Sequence, residues 1–473
     1  MQPIYAKLLL LHQKIVRKES LSMSKNINLL EGDILPSLTK LAFPIMATSL
    51  VQMAYNMTDM IWIGRISSNA VAAVGAAGMY MWFANGIATL SRIGGQVKVG
   101  HSIGEGRLDL AACYAKNALQ LTTFLGILYG AFSVLLQKSL IGFFRLNHPD
   151  VIANAQTYLS ITCGLVVFSF LNQAFTGIFT ALGNSKTSFL ATAAGLLMNI
   201  ILDPVLIFGI GPFPEMGVAG AAIATVLAQL VVTGMFLLSC LKDTFLFPRV
   251  QILKRPELPV IRELIQLGLP TAVQSMLFSG ISMVIARIIS GFGDAAIAVQ
   301  KVGSQIESIS WMTSDGFAAA VNSFVAQNHG ARNTARVRKG YRCAMAVVLL
   351  WGAFTTFVLS VFPEPIFRIF ITEDALLPMG VDYLKILAVS QLFMCIEITT
   401  AGAFNGLGRT IPPAIEGICL TATRIPLALV LITTPLGLNG IWWAITISSI
   451  LKGVVLFAWF LFYMKKHLIL CPQ

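Results

Sequence analysis

QMAYNMTD, residues 52–59, lies inside the apolar run from Leu41 to Gly64 and decides the fold class. On a helix Gln52, Tyr55, Asn56 and Asp59 stand at i, i+3, i+4 and i+7, one polar stripe ending in a carboxylate. The run is long enough to cross a bilayer, which takes about 20 residues. Aspartate at the centre of a membrane helix costs about 2.5–3.5 kcal/mol on insertion scales, so such a residue faces a bundle interior or a wet cavity. Asp59 is therefore the first candidate for ion coupling.

The rest of the chain has the same character. Of its 473 residues 56% are hydrophobic and only 11% charged, too little polar surface for a soluble protein of this size. Continuous apolar runs recur, without the alternation of outer-membrane strands, so the expected fold is an all-α integral membrane protein. The net charge of +12 is explained by placement. Outside the spans, Lys and Arg crowd the loops on one side, and the other side holds only Arg65, Lys138, Arg145, Arg287 and Arg368. This is the positive-inside pattern. It places both termini in the cytoplasm and the chain in a cytoplasmic (inner) membrane, and it calls for no nucleic acid. The seven cysteines form no CxxC, the five histidines lie outside the expected spans, and no HExxH occurs, which argues against a membrane metalloprotease. Leu8 to Leu11 is followed by Lys14, Arg17 and Lys18 rather than a cleavage site, so it does not read as a signal peptide, and Met23 is an alternative start.

Twelve spans are expected: 41–64, 70–92, 114–137, 155–181, 187–209 and 217–240, then 262–287, 294–325, 340–362, 381–404, 411–434 and 438–463. The second six repeat the first at an offset near 225 residues. LAFP (41–44) answers LGLP (267–270), VGHSIGEGR (99–107) answers VAQNHGARN (325–333), and TALGNSKT (180–187) answers NGLGRTIP (405–412). With an even number of spans in each repeat, both halves enter from the same side and form two six-helix lobes about an axis along the membrane normal. The expected segments are a cytoplasmic tail 1–38, lobe 39–240, linker 241–261, lobe 262–463 and tail 464–473. Pro44, Pro270 and Pro204 each remove a backbone hydrogen bond within a span, and Pro44 and Pro204 are the candidate hinges, although proline is in any case commoner in membrane helices.

Asn199 and Asp203 in NIILDP share a helical face just before Pro204, and Asp203 lies at nearly the depth of Asp59, about 24–27 Å from the cytoplasmic edge at 1.5 Å per residue. Two neighbouring carboxylates in low dielectric cannot both stay charged at little cost, so one takes a proton or the pair holds a cation. Asp59, Asp203, Asn199 and Tyr55 are the candidate coupling site, with Na⁺ the one metal ion that this oxygen set suggests. Gln52 and Asn56 are accessory. A purely structural pairing of these polar groups is the simpler alternative. The second half does not repeat the acids and carries Lys301, Glu307, Asp315, Glu397, Glu416 and Arg424 instead. Glu307 and Glu397 are candidates for substrate contact, with a structural ion pair, Lys301 beside Glu307, as the modest explanation. GHSIGEGR (100–107) and GLGR (406–409) are read as short cytoplasmic turns rather than phosphate loops, so no ATPase is expected.

YNMTDMIWIGR (55–65), TALGNSKT, NIILDPVLIFGIGPFPEMGVAGAAIAT (199–225) and VAQNHGARN together resemble the multidrug and toxic compound extrusion (MATE) family. The resemblance covers residues 35–463. It implies a V-shaped fold of two six-helix lobes, exporting amphipathic, often cationic drugs in exchange for Na⁺ or H⁺, with no cofactor, no enzymatic activity, and a monomer in the lipid bilayer. It places the family's first-span aspartate and nearby tyrosine on Asp59 and Tyr55, and its fifth-span pair on Asn199 and Asp203. The seventh span, Pro270 to Ile285, lacks the acid that one branch of the family carries there. A flippase of lipid-linked precursors is the runner-up, though it would need a more cationic centre than Lys301 and Arg424 provide.

Overall fold

In a bilayer interior each backbone N–H and C=O must find its partner within the protein, so apolar runs of this length become helices. The structure, a computed structural model, describes residues 27–144, 146, 148–370 and 376–469, without the side chains of Asn56, Met57, Ser68, Asp294, Leu468 and Ile469. Met23 and the far ends of both tails lie outside the described residues. The helices are α1 (Ile34–Ile66), α2 (Ser68–Gly104), α3 (Leu108–Leu135), α4 (Gln137–Gly142), α5 (Pro149–Gly164), α6 (Val167–Ala181), α7 (Ser185–Phe208) and α8 (Gly217–Lys242) in the first half. The second half has α9 (Leu258–Ser290), α10 (Asp294–Gly330), α11 (Thr334–Val361), α12 (Pro363–Arg368), α13 (Leu377–Gly406), α14 (Ile411–Ala422), α15 (Arg424–Ile432) and α16 (Leu438–Tyr463).

Ten runs among the described residues are long and apolar enough to cross a membrane, and α5 with α6, bent by 45° at their junction, make an eleventh. The remaining long helix, α10, has 37 residues and links the spanning α9 and α11. Its polar residues, Lys301, Glu307 and Asp315 among them, keep composition alone from marking it as a span, yet at 1.5 Å per residue it is far longer than a bilayer core. With α10 the helical plan reaches the expected twelve.

Corresponding helices pack in corresponding ways. In the first half α2 lies against α3 and against α5 and α6, and α1 lies against α7; in the second, α10 lies against α11 and α13, and α9 against α14. The first helix of each half then crosses to the second helix of the other, α1 to α10 and α9 to α2. Their starting ends are buried in the opposite core. Leu38, Leu41 and Ala42 of α1 pack with Phe324, Tyr341, Phe404 and Phe460, while Leu264 and Ala272 of α9 pack with Ala115, Phe175, Phe179 and Phe236. The far ends return to their own halves, Ile63 to Ala70 and Tyr158, and Ile285 to Ala428 and Ile441.

Glycine makes these crossings possible. A Cβ on Gly268 would stand 1.9 Å from the Leu90 carbonyl oxygen, and one on Gly94 would stand 2.6 Å from that of Leu264. Where α2 and α10 finish side by side, a Cβ on Gly104 would lie 1.9 Å from Gln327 O and one on Gly330 2.1 Å from His101 O. The expectation that GHSIGEGR forms a short turn is corrected here: residues 100–104 continue α2, only Glu105–Arg107 turns, and most of these glycines serve helix approach. For the same reason His101 and His329 lie in helices that run past the apolar spans. At this end His101 Nε2 lies 2.8 Å from Gly406 O, and Gln327 Nε2 donates to Ala181 O at 2.6 Å. The two contacts are counterparts under the repeat, each fastening a second helix to the last residue of the other half's bent or long fourth span.

The helices α1, α7 and α9 run unbroken through Pro44, Pro204 and Pro270, whereas the counterpart of α7 divides at Thr423 into α14 and α15, three residues before Pro426. Helix α1 also starts at Ile34, inside the segment expected to be a tail. The linker lies along α3: Gln120 donates to the carbonyls of Ile252 and Lys254 at 2.8 and 2.7 Å, and Lys116 pairs with Glu257 at 2.8 Å. Its hydrogen bond to Lys116 holds the Glu257 carboxyl below the usual carboxylate range.

Candidate functional site

Helix α7 packs against both α1 and α8, and this places three polar faces together inside the first half. Asp59 from α1 and Asn199 and Asp203 from α7 are all buried, at 8%, 1% and 0% exposure. Asn199 Nδ2 donates to Asp203 Oδ1 at 3.1 Å, and the Asp203 carboxyl is close enough to feel the charge of Asp59. Tyr55 OH lies 3.2 Å from Thr225 Oγ1 of α8. Tyr158 of α5 is buried against the same Thr225 and both aspartates. Among the described residues Asp59 Oδ1, Asn199 Oδ1 and Asp203 Oδ2 have no hydrogen-bond partner. Three buried acceptor oxygens on one lobe's interior, two of them from carboxyls, are what a desolvated proton or a hard monovalent cation requires.

The spacing argument thus brings Asp59, Asp203, Asn199 and Tyr55 together. Gln52 lies half-buried about two turns before Asp59 on α1, and the side chain of Asn56 lies outside the described residues. Thr225 and Tyr158 escaped sequence reading, since an isolated hydroxyl in an apolar span carries no periodic signal. Thr225 does end the stretch GVAGAAIAT, but nothing in that stretch marks it.

The second half builds a different cluster. Lys452 Nζ donates to Glu397 Oε1 at 2.7 Å, with both side chains about nine-tenths buried. Arg424 donates through Nε to Ser448 Oγ at 3.2 Å and through its terminal nitrogen to Ser449 Oγ at 3.0 Å, and its guanidinium lies over the Phe278 ring at 5.7 Å. Glu307 faces Tyr383, Gln391 and Arg424. The expected Lys301–Glu307 pairing is corrected: Lys301 and Asp315 are exposed, while Glu307 turns inward to groups on other helices. Lys452 was legible by the rule applied to Asp59, as an intramembrane charge. Its pairing with Glu397 was not, because 55 residues separate them.

The MatE family model matches twice, over residues 44–205 and 270–430, at the same offset as the repeat. A probable multidrug resistance protein NorM of Thermotoga maritima is 30% identical over 432 residues, spanning 91% of this chain and 92% of that one. An FAD transporter of Shewanella oneidensis is 24% identical over 91% of this chain and 95% of its own length. Among solved structures, an outward-facing multidrug resistance MATE family transporter of the MOP superfamily superposes with a TM-score of 0.86 at 23% identity, covering 94% of this chain and 99% of that one. A MOP superfamily transporter from Pyrococcus furiosus gives the same TM-score at 23% identity, with coverage of 93% and 98%.

Proposed function

Because the chain belongs to the MatE family of membrane transporters, we propose that it exports amphipathic, often cationic drugs by alternating access, in exchange for Na⁺ or H⁺ bound in the first half. The observation that carries the ion site is the set of three buried, unpartnered oxygens on Asp59, Asn199 and Asp203. Relatives described as multidrug resistance proteins support the substrate class.

Asp59 and Asp203 bind the ion; Asn199 holds Asp203 through its amide and offers its own oxygen; Thr225 and Tyr55 orient the wall. A single positive ion here relieves the repulsion between two facing carboxyls, draws α1 toward α7 and α8, and changes how α1 lies on α10 in the other half. A ligand moves a two-state equilibrium only by binding the two states differently, and this site does so because α1 belongs to both halves. Pro44 and Pro204, each leaving a carbonyl one turn earlier without its helical donor, are the points where α1 and α7 yield. Gln52, Asn56 and Glu307 are the accessory polar groups available to a cationic substrate, while Glu397 is already answered by Lys452. The protein acts as a monomer in the cytoplasmic membrane, with both termini inside.

The test is ethidium efflux from proteoliposomes under a Na⁺ gradient and, separately, a pH gradient, with Asp59→Asn alongside. Efflux driven by one gradient and abolished in the variant is the expected result. Gradient-driven efflux that survives Asp59→Asn overturns the site, and transport confined to a lipid-linked precursor or a dinucleotide overturns the drug reading.

A further inference from the structure

We propose that Glu416 is a second proton-binding site, in the half of the molecule away from Asp59 and Asp203, and that Lys452 serves either Glu397 or Glu416 according to whether Glu416 carries that proton. Glu416, on α14, is 4% exposed, and among the described residues neither of its carboxyl oxygens has a hydrogen-bond partner. Its electrostatic neighbours are Glu397 and Lys452. A buried carboxylate with no donor at either oxygen is unfavourable in any folded protein, and a neutral carboxylic acid is the simplest remedy.

The surrounding charges agree. Helix α10 presents Glu307, α13 presents Tyr383 and Glu397, α15 presents Arg424 and α16 presents Lys452. Helix α9 brings only the uncharged Gln274, whose amide fills the space beside Gly417, where a Cβ would stand 2.1 Å from Nε2. Three carboxyls face two cations, so one proton makes the cluster neutral, the condition that a poorly hydrated interior favours. A metal ion suits the site badly, since the Lys452 ammonium repels a second cation. Glu397 has the Lys452 ammonium and Glu307 leaves one oxygen without a partner, whereas Glu416 leaves both. Glu416 is therefore the carboxyl left to hold the proton.

The exchange balances simply. When Glu416 loses its proton to water, its carboxylate draws Lys452, of whose three N–H groups one is engaged with Glu397. The ammonium then sits between α13 and α14, so the packing of α14 against α16 follows the state of Glu416. None of this depends on which ion the first half binds.

Infrared difference spectroscopy on the full-length protein in liposomes reads the proton directly. At neutral pH the carbonyl stretch of a protonated carboxyl, shifted in heavy water, is expected in the parent protein and in Asp59→Asn/Asp203→Asn, and lost when Glu416→Gln is added to that double variant. In Lys452→Met the band should persist to higher pH, because the cation that competes for the carboxylate is gone. A band that survives Glu416→Gln in the Asp59→Asn/Asp203→Asn background overturns the proposal, and so does its absence from that background when Glu416 is intact. Gln copies the shape and neutrality of the protonated acid, so failure of Glu416→Gln to fold and insert would also count against it. Since no step of the measurement requires transport, a failed efflux assay leaves this result separate.

Discussion

Among the described residues Asp203 and Asp59 each leave a buried carboxyl oxygen without a donor, but Asp203 has the Asn199 amide at its other oxygen. Substituting Asp203→Asn leaves an oxygen for Asn199 and removes the charge, so the variant should insert and melt close to the parent while ion-coupled efflux falls at least about tenfold, the equivalent of about 1.4 kcal/mol. Proteoliposome efflux beside a detergent melting curve separates the two effects. Tyr55→Phe removes only the hydroxyl contact to Thr225, a bond contributing about 0.5–1.5 kcal/mol, and should weaken activation by the ion while leaving maximal efflux intact. At the other cluster, Lys452→Met strands the Glu397 carboxylate. Breaking a buried pair from one side costs about 3–5 kcal/mol, so the melting temperature should drop markedly, and Glu397→Gln in the same chain should recover part of the loss. Recovery absent from that double variant would mean that the pair contributes packing rather than charge.

At the scale of the helices, small residues decide how closely the halves meet. A side chain at Gly268 has nowhere to go but into the Leu90 carbonyl, so Gly268→Val should push α9 off α2 and expose this end of the crossing to labelling of an introduced cysteine. Unchanged labelling would mean that the two helices separate without consequence. The linker adds a pH term outside the membrane. Since Lys116 holds the Glu257 carboxyl below its ordinary range, the contact is complete at neutral pH, persists as pH falls through the range where free glutamate titrates, and is lost only below it. Hydrogen exchange in residues 250–257 should therefore quicken only in that more acid region. The helices themselves were legible because hydrophobic run length is a direct physical record of bilayer thickness, and Asp59, Asn199 and Asp203 were legible because a charge in such a run needs a reason. Helix ends were less so: α2 and α10 continue past their apolar runs on contacts between glycines and carbonyls, which hydropathy does not register. Lys452 with Glu397, and Thr225 and Tyr158 beside the aspartates, depend on pairings between distant helices. The sequence pattern has no term for them.

The molecule as a whole is fastened at one end by two counterpart bonds, His101 to Gly406 O and Gln327 to Ala181 O, just where α2 and α10 finish. Together with Gln96, which donates to Ala319 O at 3.1 Å and Ser323 Oγ at 2.9 Å, they join first-half helices to second-half ones. Each must break for that end to open, because the carbonyls close α13 and α6, which stay with the opposite half. A single hydrogen bond contributes about 0.5–1.5 kcal/mol net, so Gln327→Ala should raise the population open at this end by roughly two- to tenfold. His101→Ala should act in the same direction, and the double variant should open this end at least as far as either single one, although sites this close need not add. Distances between spin labels placed on α2 and α10, or accessibility of a cysteine introduced near Gly104, would report the shift. Efflux should respond with the opposite sign on its two strokes: faster entry of substrate from the end that opens, and slower return to the closed arrangement described here. If the label distances stay at the parent values in all three variants, closure rests on the glycine crossings alone, and the two hydrogen bonds are followers of the motion rather than part of what holds it.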